Sequence, residues 1–277
     1  MALSIQSNAA ATVIRNQLNR TNDGLGVALE RLGTGFRINS AKDDAAGLQI
    51  ATRLAAQVVG QETAMSNAAN ANALLKTAEG AFDEMTNIAY RMKELATQGA
   101  NGTNATGEYT ALSAEFNALE AELTNIMTNT SFGAGTKLLT GGKLAAAVTF
   151  QIGADAAETL SVNVSANITA VNTAIGTFVG LTDQTVSSAD MGRVDTLLTA
   201  IGAARAGLGA SMNRLDHTIN NLSNMAENTS TAKSMLMDAD FAKETSNMTK
   251  QQLLMNSGIS VLTTANTTTQ MVAQLLR

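Results

Sequence analysis

Residues 35–51 read GFRINSAKDDAAGLQIA. Four charges, Arg37, Lys42, Asp43 and Asp44, crowd into this glycine-flanked stretch, while the runs on either side are rich in Ala and Leu. The stretch decides the fold because one long helical pattern has to end in it and another has to begin. Before it, apolar positions recur every three or four residues through Ile14, Leu18, Leu25 and Leu32, with Thr21 and Ala28 between them. After it the same spacing returns through Ala78, Ala81, Met85, Ile88, Met92 and Leu95. That period lines one side of a helix with apolar groups and predicts coiled-coil-like seams, here weakened by small and hydroxyl residues. Gly33 and Gly35 let the chain leave the first helix. Ser40 is read as the cap of the second, with Asp43 three residues on completing a box-like pattern.

Working outward, a third series runs Val194, Leu197, Ile201, Ala204, Leu208, Leu215, Leu222, Met225, and a fourth runs Leu254, Gly258, Val261, Ala265, Thr268, Val272, Leu275. A straight helix from Asp44 to Gln98 would be roughly 80 Å long, beyond the ~30 Å of a small domain, so a rod is expected. The rod ends in QGANGTNATG (98–107), whose Gly and Asn residues mark a loop. A further helix over about 108–129 carries Leu112, Phe116, Leu119, Leu123 and Ile126 on one face. Residues 130–190 read differently: AVTFQIGADAAETLSVNV (147–164) holds two β-leaning runs around a small-residue turn, a hairpin pattern. Helical character is expected to resume near Met191. The fold class is therefore mainly α: a long coiled-coil-like helical rod with paired N- and C-terminal helices and a small β-hairpin insert. Gly24, Gly26 and Gly258 weaken the terminal helices, each by about 1 kcal/mol relative to Ala. Both ends are accordingly expected to be largely disordered in the monomer and to fold on assembly.

Composition narrows the function. Hydrophobic residues make up 45% and charged residues 15% of the chain, little charge for a surface that faces only water. It fits a chain whose flanks are covered by neighbours. The net charge of −5 gives nucleic-acid binding no electrostatic basis. Without Pro no ring stops a long helix, and without Cys there is no disulfide, thiol catalysis or cysteine metal site. The N-terminal MALSIQSNAAATVIRNQLNR has neither the basic segment nor the apolar run of a secretory signal. No stretch reaches the ~20 apolar residues that span a bilayer. The expectation is a soluble chain, or one that leaves the cell by a route reading no cleavable signal.

Little points to catalysis or to a cofactor. His217 is the single histidine, set in a helical pattern, and no HExxH, GxxxxGK[ST] or GxGxxG motif accompanies it. Asp43 and Asp44 are adjacent carboxylates, but at a helix start they more simply complement its dipole. Asn-x-Ser/Thr triplets follow from composition, and the methionines on the seams read as core filling.

The blocks LERLGTGFRINSAKDDAAGLQIATR (29–53), RMKELATQGANGTN (91–104), QIGADAAETLSV (151–162), NRLDHTINNLSN (213–224) and DADFAKETSNMTKQQLLMNSGISVLTTAN (238–266), with a terminal LLR, resemble bacterial flagellin in order and content. The resemblance covers roughly 1–140 and 190–277. It implies a structural subunit that polymerises into the hollow helical filament used for motility, outside the cell. It implies an inner core of 1–39 and 236–277 lining the channel, an outer core of 40–139 and 191–235, and a small insert at 140–190. The inner-tube seam would be Ile14, Leu18, Leu25, Leu32, Leu254, Val261, Val272 and Leu275. Arg37, Lys42, Asp43 and Asp44 would lie in the spoke between tubes, pairing with each other or with the next subunit. The implied partners are other subunits, an export chaperone, the type III export apparatus, the filament cap, hook-junction proteins and innate immune receptors, with neither nucleic acid nor membrane. For the receptors the matching positions are Arg91, Leu95 and Glu122, although Ala89 and Tyr90 stand where the family pattern has Leu and Gln, together with Leu275, Leu276 and Arg277. Arg91 and Glu122 serve equally well as contacts between subunits. Two other readings compete: a hook–filament junction protein, which shares the terminal signatures, and a filament-borne enzyme, for which residues 140–190 offer no His or Cys.

Overall fold

Asn8 opens the first helix, its side-chain oxygen accepting the Ala11 N–H at 3.0 Å. The computed structural model describes residues 8–275, without the side chains of 269, 270 and 272–275. From that cap α1 runs Ala9–Thr34. It ends at Gly35, whose φ of 76° is left-handed and whose N–H reaches the Arg31 carbonyl at 2.9 Å. Glycine takes that conformation without the Cβ clash any other residue would meet. Gly33 lies inside the helix, so Gly35 makes the exit.

The remaining elements are α2 (Ala45–Gly99), α3 (Thr106–Asn129), β1 (Ser131–Phe132), β2 (Thr136–Lys137), β3 (Val148–Gln151), β4 (Thr159–Val162), α4 (Ser165–Ile175), α5 (Gln184–Met237) and α6 (Phe241–Leu275). Contacts divide the chain into two compact units, one formed by the residues up to Ala56 with those from Asn228 onward, the other by Gln57–Glu227.

In the first unit α1 and α6 lie antiparallel. The direction follows from contacts that descend along α6 as they climb α1. Asn8 Nδ2 donates to the Ala265 carbonyl at 3.1 Å, a Cβ at Gly24 would lie 3.1 Å from Gln251, and Arg31 meets Glu244 at 3.2 Å. Asp240 starts α6 by accepting the N–H groups of Ala242 and Lys243 at 2.9 and 3.1 Å, an N-cap that satisfies two otherwise orphaned donors.

In the second unit α2 and α5 pair antiparallel. Asn72 donates to Asp216 at 2.7 Å, Arg205 reaches Glu79 and Asp83 at 3.1 and 2.9 Å, and Lys93 meets Asp195 at 2.5 Å. Between these polar flanks the two predicted stripes close on each other: Leu75, Met85, Met92, Val194, Leu197 and Leu215 are fully buried. Phe116 of α3 completes the core, edge-on to Phe178 with centroids 5.4 Å apart, the arrangement that the ring quadrupoles favour.

Residues 130–183 depart in detail from expectation. The hairpin is present, β3 pairing antiparallel with β4 from Val148 opposite Val162 to Gln151 opposite Thr159. A second, smaller hairpin joins β1 to β2. Helix α4 was not expected: its Thr, Ser and Val content argues against helix, but Ile168, Val171 and Ile175 bury one face in the core, and packing overrides so weak a propensity. Helix α5 begins at Gln184, seven residues before Met191, because Asp183 accepts the Val186 N–H at 2.9 Å and so caps it. The segment does not stand apart from the second unit. Leu138, Leu144, Leu160, Val162 and Leu181 all enter its core.

Candidate functional site

The sequence places the functional interest at the 35–51 stretch and at the two terminal helices. In the stretch each charge has a separate task. Arg37 donates its backbone N–H to the Met237 carbonyl at 2.6 Å and its guanidinium to the Leu236 carbonyl at 2.7 Å, placing a cation at the C-terminal end of α5 where the helix dipole favours one. Phe36 bridges Asp238, and the Ala239 N–H reaches the Gly35 carbonyl at 2.9 Å. The two breaks between helices are thus laced into one short antiparallel contact.

Asp43 and Asp44 both act on backbone. One oxygen of Asp43 accepts from the N–H groups of Asn39 and Ser40 at 3.1 and 2.9 Å and from the Ser40 hydroxyl at 3.1 Å. The Ser40 hydrogen bonds, backbone first and hydroxyl second, hold the Asp43 carboxyl below its ordinary value. Asp44 is the actual cap of α2, accepting the Gly47 N–H at 2.8 Å. This corrects the expectation at Ser40: that hydroxyl donates to Asp43 and caps nothing, and α2 begins at Ala45. Lys42 is exposed and, among the described residues, forms no ion pair. None of the four charges pairs with another within the subunit.

On the terminal helices the expected α1 positions Ile14, Leu18, Leu25 and Leu32 are half-buried. On α6 Gly258 and Ala265 hold their expected places, but Met255 and Leu262 take the places expected for Leu254 and Val261. Gly258 packs on Leu18, and the half-buried line runs through Met248, Gln251, Met255, Gly258 and Leu262. Leu254 and Val261 therefore lie beside the seam, 46% and 51% exposed. They flank an open groove of about 340 Å³ whose other wall is Val13, Ile14 and Leu18. Val13, Leu29, Leu253, Ile259 and Met271 add further exposed apolar surface on the same two helices. The side chains of Val272 and Leu275, and Leu276 and Arg277 altogether, lie outside the described residues.

At the other expected positions, Arg91 is exposed and holds Glu115 and Glu94 at 2.7 and 2.9 Å. Those hydrogen bonds, Glu115 first, raise its already high pKa. Glu122 is exposed on α3. Leu95 is 1% exposed and faces the core, so it offers no surface to a docking partner. His217 lines an open cleft with Glu158 and Met225, and among the described residues no three His, Asp or Glu gather as a metal site. No helix among them is long and apolar enough to cross a membrane. Sequence reasoning missed the Arg31–Glu244 pair, whose carboxylate side is 8% exposed. Its signal was available, since Glu244 falls on the heptad phase of the true α6 seam.

Two family patterns match the chain: the bacterial flagellin N-terminal helical region over residues 5–144 and the bacterial flagellin C-terminal helical region over 191–276. A flagellin of Halalkalibacterium halodurans is 39% identical over 250 residues, covering 90% of this chain and 91% of that one. Flagellin A of Vibrio anguillarum is 32% identical, covering 96% and 97%. Among solved structures, the crystal structure of Bacillus cereus flagellin aligns with TM-score 0.47 and 30% identity over 57% of this chain and 88% of that one. The structure of a putative flagellar hook-associated protein from Vibrio parahaemolyticus aligns at 0.45 and 18% identity over 71% and 97%.

Proposed function

The chain belongs to the bacterial flagellin family and is a structural subunit of the extracellular flagellar filament, and from that premise we propose which of its surfaces make the polymer. The family is one of structural proteins, and no catalytic role is assigned to any residue of this chain. The inner core is 1–39 with 236–277, the outer core 40–139 with 191–235, and the insert 140–190. The single observation that carries the assignment is the exposed apolar line beside the α1–α6 seam, with Leu254 and Val261 at its centre. A contiguous apolar surface of that kind marks an interaction site, and in a helical polymer the contact is heterologous and open-ended. Leu254 and Val261 would seat on the next copy, while Arg37, Lys42, Asp43 and Asp44 set the register of the spoke.

The other partners follow the family and not a particular distance: an export chaperone on the C-terminal segment, the type III export apparatus, the filament cap and the hook-junction proteins. Innate immune receptors would meet Arg91 and Glu122, which are exposed, and the terminal Leu275, Leu276 and Arg277. The reading as a hook–filament junction protein is the weaker one, since curated flagellins span nearly the whole chain.

The double substitution Leu254→Ser and Val261→Ser tests the assembly surface. Neither residue lies on the α1–α6 seam, so the monomer keeps its helical circular dichroism. Under polymerising conditions it should form no long filaments by electron microscopy. Filaments of normal length and yield would remove these residues from the interface.

A further inference from the structure

The turn between α2 and α3 holds Asn101–Gly102, the one Asn–Gly pair in the chain. Asn101, Gly102 and Thr103 are all exposed. The Asn101 side-chain oxygen accepts the Thr103 N–H at 3.3 Å, a turn that folds the side chain over the backbone following it. The Gly102 N–H between them donates to nothing among the described residues. A side-chain carbonyl polarised by a donor is thus held over a backbone whose amide nitrogen is unengaged and open to water. Glycine keeps the approach clear, since no Cβ stands beside that nitrogen.

The other asparagines between helices each lack a part of this arrangement. After Asn39 the Ser40 N–H is taken by Asp43 at 2.9 Å, and after Asn104 the Ala105 N–H is taken by Glu108 at 2.9 Å. Asn163 makes the same turn as Asn101, its oxygen accepting the Ser165 N–H at 3.2 Å, but the residue between is the buried, branched Val164. Beyond the first turn of a helix the following N–H is tied to a carbonyl one turn back.

We propose that Asn101 is a site of spontaneous deamidation that the fold holds ready. The Gly102 nitrogen gives its proton to hydroxide and attacks Cγ of Asn101. A new C–N bond forms, the bond from Cγ to Nδ2 breaks, and Nδ2 takes a proton from water and leaves as ammonia. Water then opens the five-membered imide at either carbonyl, giving aspartate or isoaspartate. One water is consumed and one ammonia released, with no oxidant and no cofactor. The chain gains a negative charge beyond its net −5. In isoaspartate the main chain runs through the former side chain and is longer by one carbon. The turn it enters is closed by the Asn101 N–H on the Gln98 carbonyl at 3.2 Å and the Asn104 N–H on the Asn101 carbonyl at 3.3 Å. The link between α2 and α3 therefore loosens with the age of the subunit.

The full chain, kept as folded monomer in mild alkali to supply hydroxide, is followed by peptide mass spectrometry, with isoaspartate separated from aspartate by chromatography. Residue 101 should convert ahead of Asn39, Asn104 and Asn163. In Gly102→Ala the added Cβ makes only ordinary contact with Gln184, at 3.4 Å, so the fold is kept. Conversion there should slow at least about tenfold, because the nitrogen no longer approaches freely. In urea Asn39 should gain rate as its guarding hydrogen bond is lost, whereas Asn101 should convert no faster than in the folded chain. Slower conversion of Asn101 folded than in urea, or an unchanged rate in Gly102→Ala, overturns the proposal.

Discussion

At Gly47 an added Cβ would lie 2.5 Å from Oδ2 of Asp44 and 2.9 Å from Cδ1 of Ile38, a side chain only 1% exposed. An alanine there has to displace either the cap of α2 or the buried anchor of the linker. Helix propensity alone would favour alanine over glycine by about 1 kcal/mol. Loss of the cap and overpacking each cost a similar amount or more. Gly47→Ala is therefore expected to destabilise by about 1–3 kcal/mol, while Gly26→Ala, whose Cβ would meet nothing within 4 Å, gains up to about 1 kcal/mol. Thermal melts of the two variants separate the effects, and equal melting temperatures would mean that the 38–47 turn yields without strain. This linker also shows what could be read at single residues. That a helix starts here was plain from the Ser and Asp content. Which of Ser40, Asp43 and Asp44 caps it was not, because all three can accept a first-turn N–H. The choice fell to where buried Ile38 fixes the chain.

Among the elements, α1 and α6 are joined at the start of α6 by Arg31 and Glu244. The carboxylate is nearly enclosed, and Asn247 also donates to it at 3.2 Å. Arg31→Met leaves that charge without its cation, with an expected loss of about 2–3 kcal/mol given the partly exposed arginine. Arg31→Met with Glu244→Leu should recover most of it, since two apolar groups of similar size replace the pair. Thermal melts with amide exchange along α1 and α6 read this cycle, and strictly additive single effects would show that the two side chains do not couple. Three of the four long stripes were legible because one apolar residue per turn leaves no choice of phase. The fourth was legible only at Gly258 and Ala265: Leu253, Leu254 and Met255 are consecutive, as are Val261 and Leu262, so either neighbour fits the pattern equally well. Small Gly258 against Leu18 sets the phase, and that is a tertiary contact. The same cause hid α4, whose weak propensity is overruled by its burial, whereas the β3–β4 hairpin was visible in alternation and turn residues alone.

At the scale of the whole subunit, low charge and exposed apolar helix surface make sense only in the polymer, where neighbours cover what water now touches. The spoke charges must be judged there too, and the structure changes how. Asp43 and Asp44 each hold backbone N–H groups, so lysine at both positions would remove two local hydrogen-bonding roles along with two charges. A failure to polymerise could then come from a loosened α2 start. Asparagine separates the effects, because its side-chain oxygen caps about as well as aspartate while carrying no charge. Asp43→Asn with Asp44→Asn is expected to melt within about 1 kcal/mol of the unmodified chain. If these carboxylates set register against the next subunit, the variant's filaments should be shorter or altered in helical form. Each contact contributes only about 0–1 kcal/mol, but every subunit along the lattice repeats it. The lysine double variant should in addition lose thermal stability. Filaments of unchanged length and shape from the asparagine variant would confine both residues to their local caps.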